Sequence, residues 1–363
     1  MHDPFEPLVF RTGLICKNRL VLAPMTNKQS NDDGSLGEDE RKWLFSRATA
    51  GFGLIETCAA HVSPDGQAWQ GELGIFDDRL LPGLASLATG LKERGASSIA
   101  QIFHGGLRAD PAVSGIPPWS ASEGQGARAA TEEDIRRVST QFVDAAVRAK
   151  TAGFDGVEIH GAHGYLFGQF LSALDNQRTD QWGGSFENRA RLLRGVTRAI
   201  RDRVGSAFTV GVRLSPEDFG QARGLDLDEN LTLAGWLAED GIDFLHLSLW
   251  RAQLNTKKRP TEHAIPLFRA ALPDDVKILV AGSVWTRGEA DDLLARGADG
   301  VALGRSAVVN RDWPSLARDH AWVPVRPPVT IAHLVANDLS PTFAAYMGNW
   351  KGFLVDEGSG PKG

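Results

Sequence analysis

Two imidazoles and a phenol stand close together in the stretch Val157-Glu-Ile-His-Gly-Ala-His-Gly-Tyr165. Its first residues form an apolar run of strand type, and the chain then turns toward a helix. Two histidines three residues apart, His160 and His163, can aim two N–H donors at one oxygen. Tyr165 just beyond them supplies an acid. Such a set polarises and protonates a substrate. His-x-x-His is also an acceptable metal spacing, but no carboxylate or thiol is clearly placed to complete a ligand set.

These groups need a scaffold, and one short pattern recurs along the chain: Gly, a small or apolar residue, Asp, then an apolar strand. It appears at Gly153–Ile159, Gly241–Leu247 and Gly297–Leu303, with looser versions at Gly51–Thr57 and Gly95–Gln101. Each marks a helix ending at glycine and a buried strand beginning. Arg19–Ala23, Phe208–Leu214 and Val276–Ala281 complete eight short apolar strands. Helical spacing of apolar positions fills Glu38–Ala50, Leu81–Arg94, Glu132–Ala152, Ser185–Val204, Asp228–Glu239 and Thr286–Arg296. Alternation of this kind predicts a parallel sheet with helical crossovers, and eight units favour an α/β fold of the (β/α)8 TIM barrel type. No G-x-G-x-x-G follows the first strand and no P-loop motif occurs.

In a parallel α/β protein, chemistry collects at the carboxyl ends of the strands. Those ends carry Ala23-Pro24-Met25-Thr26, then Thr57-Cys58-Ala59-Ala60, then Gln101 with His104, the His160/His163 pair, and Arg213. The last two strands end in Gly282-Ser283 and Gly304-Arg305, the place where barrels build a phosphate site. Gly282 and Gly304 also fit plain turn glycines, and Gln101 fits a strand cap. Arg213 is less neutral, because a cation at the inner end of a buried strand is expensive without an anionic partner. Loops 104–130, 215–227 and 248–262 follow barrel strands and stand over the same face. The expected division is a barrel over residues 1–323 and a C-terminal extension over 324–363, packing on the barrel or on a neighbouring subunit.

The whole chain narrows the function further. Its 363 residues are 42% hydrophobic and 23% charged with a net charge of −6, which gives no basic footprint for nucleic acid or anionic membrane. Cys16 and Cys58 are too few for a disulfide framework or a cysteine-bound cluster. The acidic start lacks a signal-length apolar core and no run of about 18 apolar residues occurs, so the expectation is a cytoplasmic protein that acts on a small molecule and is free to form a homo-oligomer.

The strand-one segment Asn18–Thr26, Gln101 with His104, Glu158–Tyr165, Arg178–Arg189 and Gly304-Arg305 together resemble the Old Yellow Enzyme family over roughly residues 5–320. The resemblance implies an FMN-dependent NAD(P)H:flavin oxidoreductase, an ene-reductase with non-covalent FMN in a (β/α)8 barrel. It implies that Ala23, Pro24, Met25 and Ala59 lie against the flavin and that Thr26 hydrogen-bonds its C4 carbonyl region. Gln101 would bind the pyrimidine edge and Arg213 would face N1 and the C2 carbonyl. Gly282, Ser283, Gly304 and Arg305 would hold the phosphate. His160 and His163 would bind the substrate oxygen, Tyr165 would donate the proton, and the kinetics would be ping-pong. Arg178–Arg189 is structural in that family.

Three positions depart from the pattern. Thr26 stands where relatives with a small tetrameric architecture often have Cys. Lys28 stands near a position where they have an aromatic, and places a cation at the rim of the substrate pocket. Cys58 replaces a small or acidic residue and reads as a packed small hydrophobe. Relatives of the dienoyl-CoA reductase or amine dehydrogenase type need a cysteine-ligated cluster that two cysteines cannot form. The competing reading from another class is a non-catalytic flavin-binding or redox-sensing barrel. A flavin-free aldolase-type barrel lacks its strand-end Lys.

Overall fold

The computed structural model describes residues 3–355, and the extension's last eight residues, 356–363, lie outside them. The eight barrel strands are β1 (Leu20–Leu22), β2 (Leu54–Glu56), β3 (Ser97–Phe103), β4 (Gly156–Gly161), β5 (Thr209–Leu214), β6 (Phe244–Ser248), β7 (Lys277–Ala281) and β8 (Gly300–Leu303). Each pairs in parallel with its neighbours in chain order, and β8 pairs with β1, so the sheet closes on itself. Closure leaves no free edge and gathers all eight carboxyl ends at one mouth.

The recurring Gly-x-Asp has a physical reason. Gly51, Gly95, Gly153, Gly241 and Gly297 all sit at positive φ, where a Cβ would be strained. The aspartate that follows in the three full copies ties two strands together. Asp155 accepts the Ser98 N–H at 2.8 Å, Asp243 that of Val210 at 2.8 Å, and Asp299 that of Ile278 at 2.9 Å. Each carboxylate thus satisfies a backbone donor at the start of the preceding strand, at the end of the barrel away from the mouth.

The crossover helices are α1 (Glu38–Thr49), α2 (Leu81–Glu93), α3 (Glu132–Ala152), α4 (Phe186–Val204), α5 (Leu227–Glu239), α6 (Ala264–Ala271), α7 (Arg287–Ala295) and the short α8 (Arg305–Val309). Helices α3 and α7 begin with capping boxes, Thr131 with Asp134 and Thr286 with Glu289. The sequence reading missed α6, where Pro266 is the third residue; proline is tolerated there because first-turn N–H groups have no helical partner.

Inside the barrel, Val21, Leu54, Ile99, Phe244 and Leu279 form an apolar layer that is closed from below by Leu8, Phe10 and Cys16 of the N-terminal hairpin. A Cβ on Gly211 would fall 2.1 Å from the Phe244 ring, so glycine there lets the ring fill the bore. The interior becomes polar only above this plug.

Residues 324–355 return across the barrel. The short helix Pro341–Tyr346 packs on α1, with Phe343 edge-on to Trp43 at 5.1 Å, and Ile331–Ala336 packs on α8, where His333 Nε2 lies 2.8 Å from the Val309 carbonyl oxygen. No helix among the described residues is long and apolar enough to cross a membrane.

Candidate active site

Strand register decides which side chains share the bore. Gln101 on β3 lies opposite Glu158 on β4, and Arg213 on β5 lies opposite both His160 on β4 and His246 on β6. Side chains directly opposite point to the same face. A polar set therefore forms between the apolar plug and the mouth.

Its base is ionic. His246 Nδ1 lies 2.7 Å from Glu158 Oε2 and 3.3 Å from Glu56 Oε2, with all three side chains fully buried. Burial pushes the imidazole's pKa down, but the two carboxylates outweigh it and raise it. Glu56 is pushed up to about 7, by burial first and then by the neighbouring Glu158 carboxylate. Glu158 is pushed up by burial, yet His246, Arg213 and a bond from Gln101 bring it below the ordinary carboxyl range. The anionic partners that a buried Arg213 requires are thus Glu158 and Glu56. These carboxylates meet His246 and not the His160/His163 pair. A cluster of this composition has metal-ligand types, but His246 turns one nitrogen to both acids and the group reads as a proton-sharing ion cluster.

Above the cluster a cavity of about 300 Å³ opens at the mouth. Ala23, Pro24, Met25, Thr26, Ala59, Gln101, His160, His163, Tyr165, Arg213, Gly282, Ser283, Gly304 and Arg305 all line it. Lys28 does not. Its ammonium lies 5.4 Å above the ring of Tyr346, a residue that does line it. His163 and Ser283 are two of the five non-glycine residues at positive φ among the described residues, and backbone strain of this kind clusters at functional sites.

Hydrogen bonding fixes how the imidazoles present themselves. His160 Nδ1 accepts the Ala162 N–H at 3.3 Å, which leaves the ring proton on Nε2. Ser248 Oγ accepts from Arg213 at 3.3 Å and lies 2.7 Å from His163 Nε2; with the serine proton on that contact, His163 carries its own on Nδ1. Both rings are held well below the ordinary histidine value, His160 by burial and then by His163, His163 by burial and then by Arg213. They are therefore neutral donors at neutral pH. Tyr165 meets His160 edge-on at 5.1 Å and Phe103 at 4.5 Å, with Arg108 4.1 Å over its ring. Burial raises its phenol above the usual range against the pull of Arg108, so the proton stays on.

Anion chemistry appears at the β7 and β8 ends. Arg305 donates to Ser283 Oγ, and its charge is opposed by burial and by Arg251. A guanidinium that lines the cavity and is partly withdrawn from water suits a phosphate. Helix α8 has five residues, so its dipole adds little. A Cβ on Gly282 would meet the Leu249 carbonyl oxygen at 2.7 Å, so that glycine is required for packing as well. Arg213 Nε is buried without a partner, a donor left over for an acceptor in the cavity. Cys58 is buried beside Glu40 with its thiol pushed well above the usual range, which makes it inert. Arg178 donates to the Ala121 and Ala130 carbonyls, tying its loop to the 104–130 segment as a structural strut.

Residues 3–321 match the NADH:flavin oxidoreductase / NADH oxidase family. The chain belongs to that family. It is 38% identical over 323 residues to a Bacillus subtilis protein described as a probable NADH-dependent flavin oxidoreductase, YqiG, covering 85% of this chain and 86% of the relative. It is 33% identical over 332 residues to an NADPH dehydrogenase of Bacillus licheniformis, covering 87% and 94%. The Old Yellow Enzyme homologue of Zymomonas mobilis superposes with a TM-score of 0.82 at 27% identity, over 95% of this chain and 99% of that one. This member of the family is thus an oxidoreductase with non-covalent FMN as cofactor and NAD(P)H as reductant. The leftover Arg213 donor and the Arg305 guanidinium beside Ser283 fit the electron-rich flavin edge and the phosphate.

Several lining residues escaped the sequence reading. Ser248 ends strand six, an end that motif inspection passed over. Trp69 and Phe219 sit in loops without periodicity, and Tyr346 and Trp350 belong to the extension. Glu158 was visible inside the chemical motif but had no partner in sequence to give it a role.

Proposed function

We propose that this oxidoreductase is an ene-reductase that reduces the activated C=C bond of α,β-unsaturated carbonyl, imide or nitro compounds. The observation that carries the reading is the placement of two neutral imidazole donors and a protonated phenol in one cavity, with His160 5.1 Å from both His163 and Tyr165. The chemistry that FMN supplies when bound is hydride transfer, first from NAD(P)H and then to the β-carbon of the alkene. Ala23, Pro24, Met25 and Ala59 would pack against its ring, Thr26 would hydrogen-bond the C4 carbonyl region and Gln101 would take the pyrimidine edge. Arg213 would face N1 and the C2 carbonyl, with Gly282, Ser283, Gly304 and Arg305 on the phosphate.

His160 and His163 donate to the substrate's carbonyl or nitro oxygen. Charge that develops there during reduction is stabilised by dipoles already in position, which draws electron density off the alkene. Tyr165 gives its proton to the α-carbon, and solvent restores it. One cavity serves nicotinamide and alkene in turn, so the kinetics are ping-pong. Residues 1–323 form the flavin barrel in this reading, and 324–363 a C-terminal extension, of which the described part, 324–355, lies over it.

Steady-state NAD(P)H consumption with 2-cyclohexenone tests the proposal. Turnover by the native enzyme and its loss in Tyr165→Phe are expected. Bound FMN without alkene-dependent turnover would favour a non-catalytic flavin-binding or redox-sensing role.

A further inference from the structure

The turn that follows β3 brings a guanidinium to the Tyr165 ring. Arg108 ends the short helical turn Gly106–Arg108, and its Cζ lies 4.1 Å from the centre of that ring. We propose that Arg108 is a positioning residue for proton transfer, whose charge stabilises the phenolate that remains when Tyr165 has given up its proton. This deepens the ene-reductase reading and rests on it for the destination of that proton.

The arginine is held at its base and at its head. Buried Gln169 accepts the Leu107 N–H at 3.0 Å and donates to the Gly105 carbonyl at 3.1 Å and the Gly164 carbonyl at 2.9 Å. One amide thus ties the Arg108 turn to the turn that carries His163 and Tyr165. A Cβ on Gly106 would fall 2.1 Å from Gln169 Oε1, so the fit depends on glycine there. At the other end, the guanidinium donates to the His163 carbonyl at 2.8 Å. That acceptor is a neutral oxygen, so the bond fixes the guanidinium over the ring without cancelling its charge.

Among the described residues, the ionisable groups that surround the phenol are Arg108, His160, Glu72 and Tyr346. Burial holds Glu72 and Tyr346 toward their protonated forms and His160 toward its neutral form. Arg108 is the cation of the set. Burial raises the Tyr165 phenol, and Arg108 opposes it. Proton transfer breaks the O–H bond, forms a C–H bond at the α-carbon and leaves the electron pair on the phenol oxygen. A cation at the ring face favours that anion over the neutral phenol, which makes Tyr165 a stronger acid than burial alone would allow. Behind burial and Arg213, the same charge also disfavours protonation of His160 and His163.

The chain has two tyrosines, so a fluorotyrosine-labelled holoenzyme gives two fluorine NMR resonances, and Tyr165→Phe assigns them. Fluorination makes both phenols more acidic and so easier to titrate in the folded protein. The titration reads the acidity of the phenol at 165 apart from turnover. Arg108→Gln should raise that pKa by about one unit, and Arg108→Lys, which keeps a charge, by less. In Arg108→Gln, reoxidation by 2-cyclohexenone should slow roughly 3–10-fold, while ferricyanide, which takes no proton from Tyr165, should reoxidise the flavin within about twofold of the native rate. An unmoved pKa, no slowing with the enone, equal slowing with ferricyanide, or a slowing that persists in the Tyr165→Phe background would overturn the proposal. A shifted pKa in a protein that turns over no alkene would leave Arg108 assigned to the phenol and reject the ene-reductase reading. Alkene turnover with an unmoved pKa would do the reverse.

Discussion

The Gln101 side-chain nitrogen donates to Glu158 Oε1 over 2.6 Å inside the barrel. A carboxylate can only accept, so this bond fixes which end of the amide faces Glu158 and leaves the Gln101 oxygen as an acceptor for the cavity. Glu158 at the same time holds His246 through its other oxygen. One buried carboxylate therefore orients a cavity-facing amide and balances two cations.

Removing that charge should be costly. Glu158→Gln leaves His246 and Arg213 with Glu56 as their remaining acid, and breaking a buried ion cluster costs on the order of 3–5 kcal/mol. The exposed pair Glu38–Arg41 is the control, since Glu38→Gln should change stability by roughly 0–1 kcal/mol. Denaturant melts of the three proteins check the contrast. Equal small losses would mean that the cluster is not ionised as described.

Glu56 makes stability depend on pH with a defined sign. Its folded pKa of about 7 lies above the ordinary carboxyl value of 4.5, so between those values the folded chain keeps a proton that the unfolded chain releases. Its contribution is complete below about 4.5 and is lost as pH rises through 7. Unfolding free energies of native protein and Glu56→Gln, measured from pH 4 to 8, should diverge in slope across that window. Parallel curves would place the titration elsewhere in the cluster.

Binding and protonation should separate by residue. His160→Ala or His163→Ala removes a donor to the developing oxyanion, an effect of about 2.7–4 kcal/mol in comparable sites, and should weaken phenol and enone binding. Tyr165→Phe should leave reduction by NAD(P)H nearly intact while slowing reoxidation by enone roughly 10²–10⁴-fold. Rapid-mixing kinetics of each half-reaction distinguishes them. Equal slowing of both halves would make Tyr165 structural.

Thr26 lines the cavity beside Tyr346. A hydroxyl bonded to the flavin C4 carbonyl stabilises the electron-rich reduced ring more than the oxidised one. Thr26→Ala should lower the flavin midpoint potential, slow reduction by nicotinamide and speed alkene reduction. A redox titration with a thermal melt beside it is the check. An unchanged potential with a lower melting temperature would leave Thr26 as a packing residue.

Much of the barrel was legible because its signals are local. Gly153-Phe-Asp155 announces a helix end, a left-handed turn and a strand within a few residues, and the strand-end groups follow. Helix α6 was hidden because Pro266 and a neighbouring loop masked its spacing. The His246–Glu158 pair was hidden for a different reason: its members lie 88 residues apart and meet only when the barrel closes. That Tyr346 of the extension lines the cavity, with Lys28 over its ring, has no local signal either, since the two lie more than 300 residues apart. Glu56 read as one more residue of a strand, since burial of a carboxylate carries no signature in sequence.

The central claim is alkene reduction by the FMN-loaded enzyme, and the two half-reactions measured anaerobically in sequence test it most directly. Mixing with NAD(P)H should bleach the flavin absorbance, and 2-cyclohexenone added afterwards should restore it with an equimolar yield of cyclohexanone. Absorbance that returns with oxygen but with no activated alkene would contradict the account.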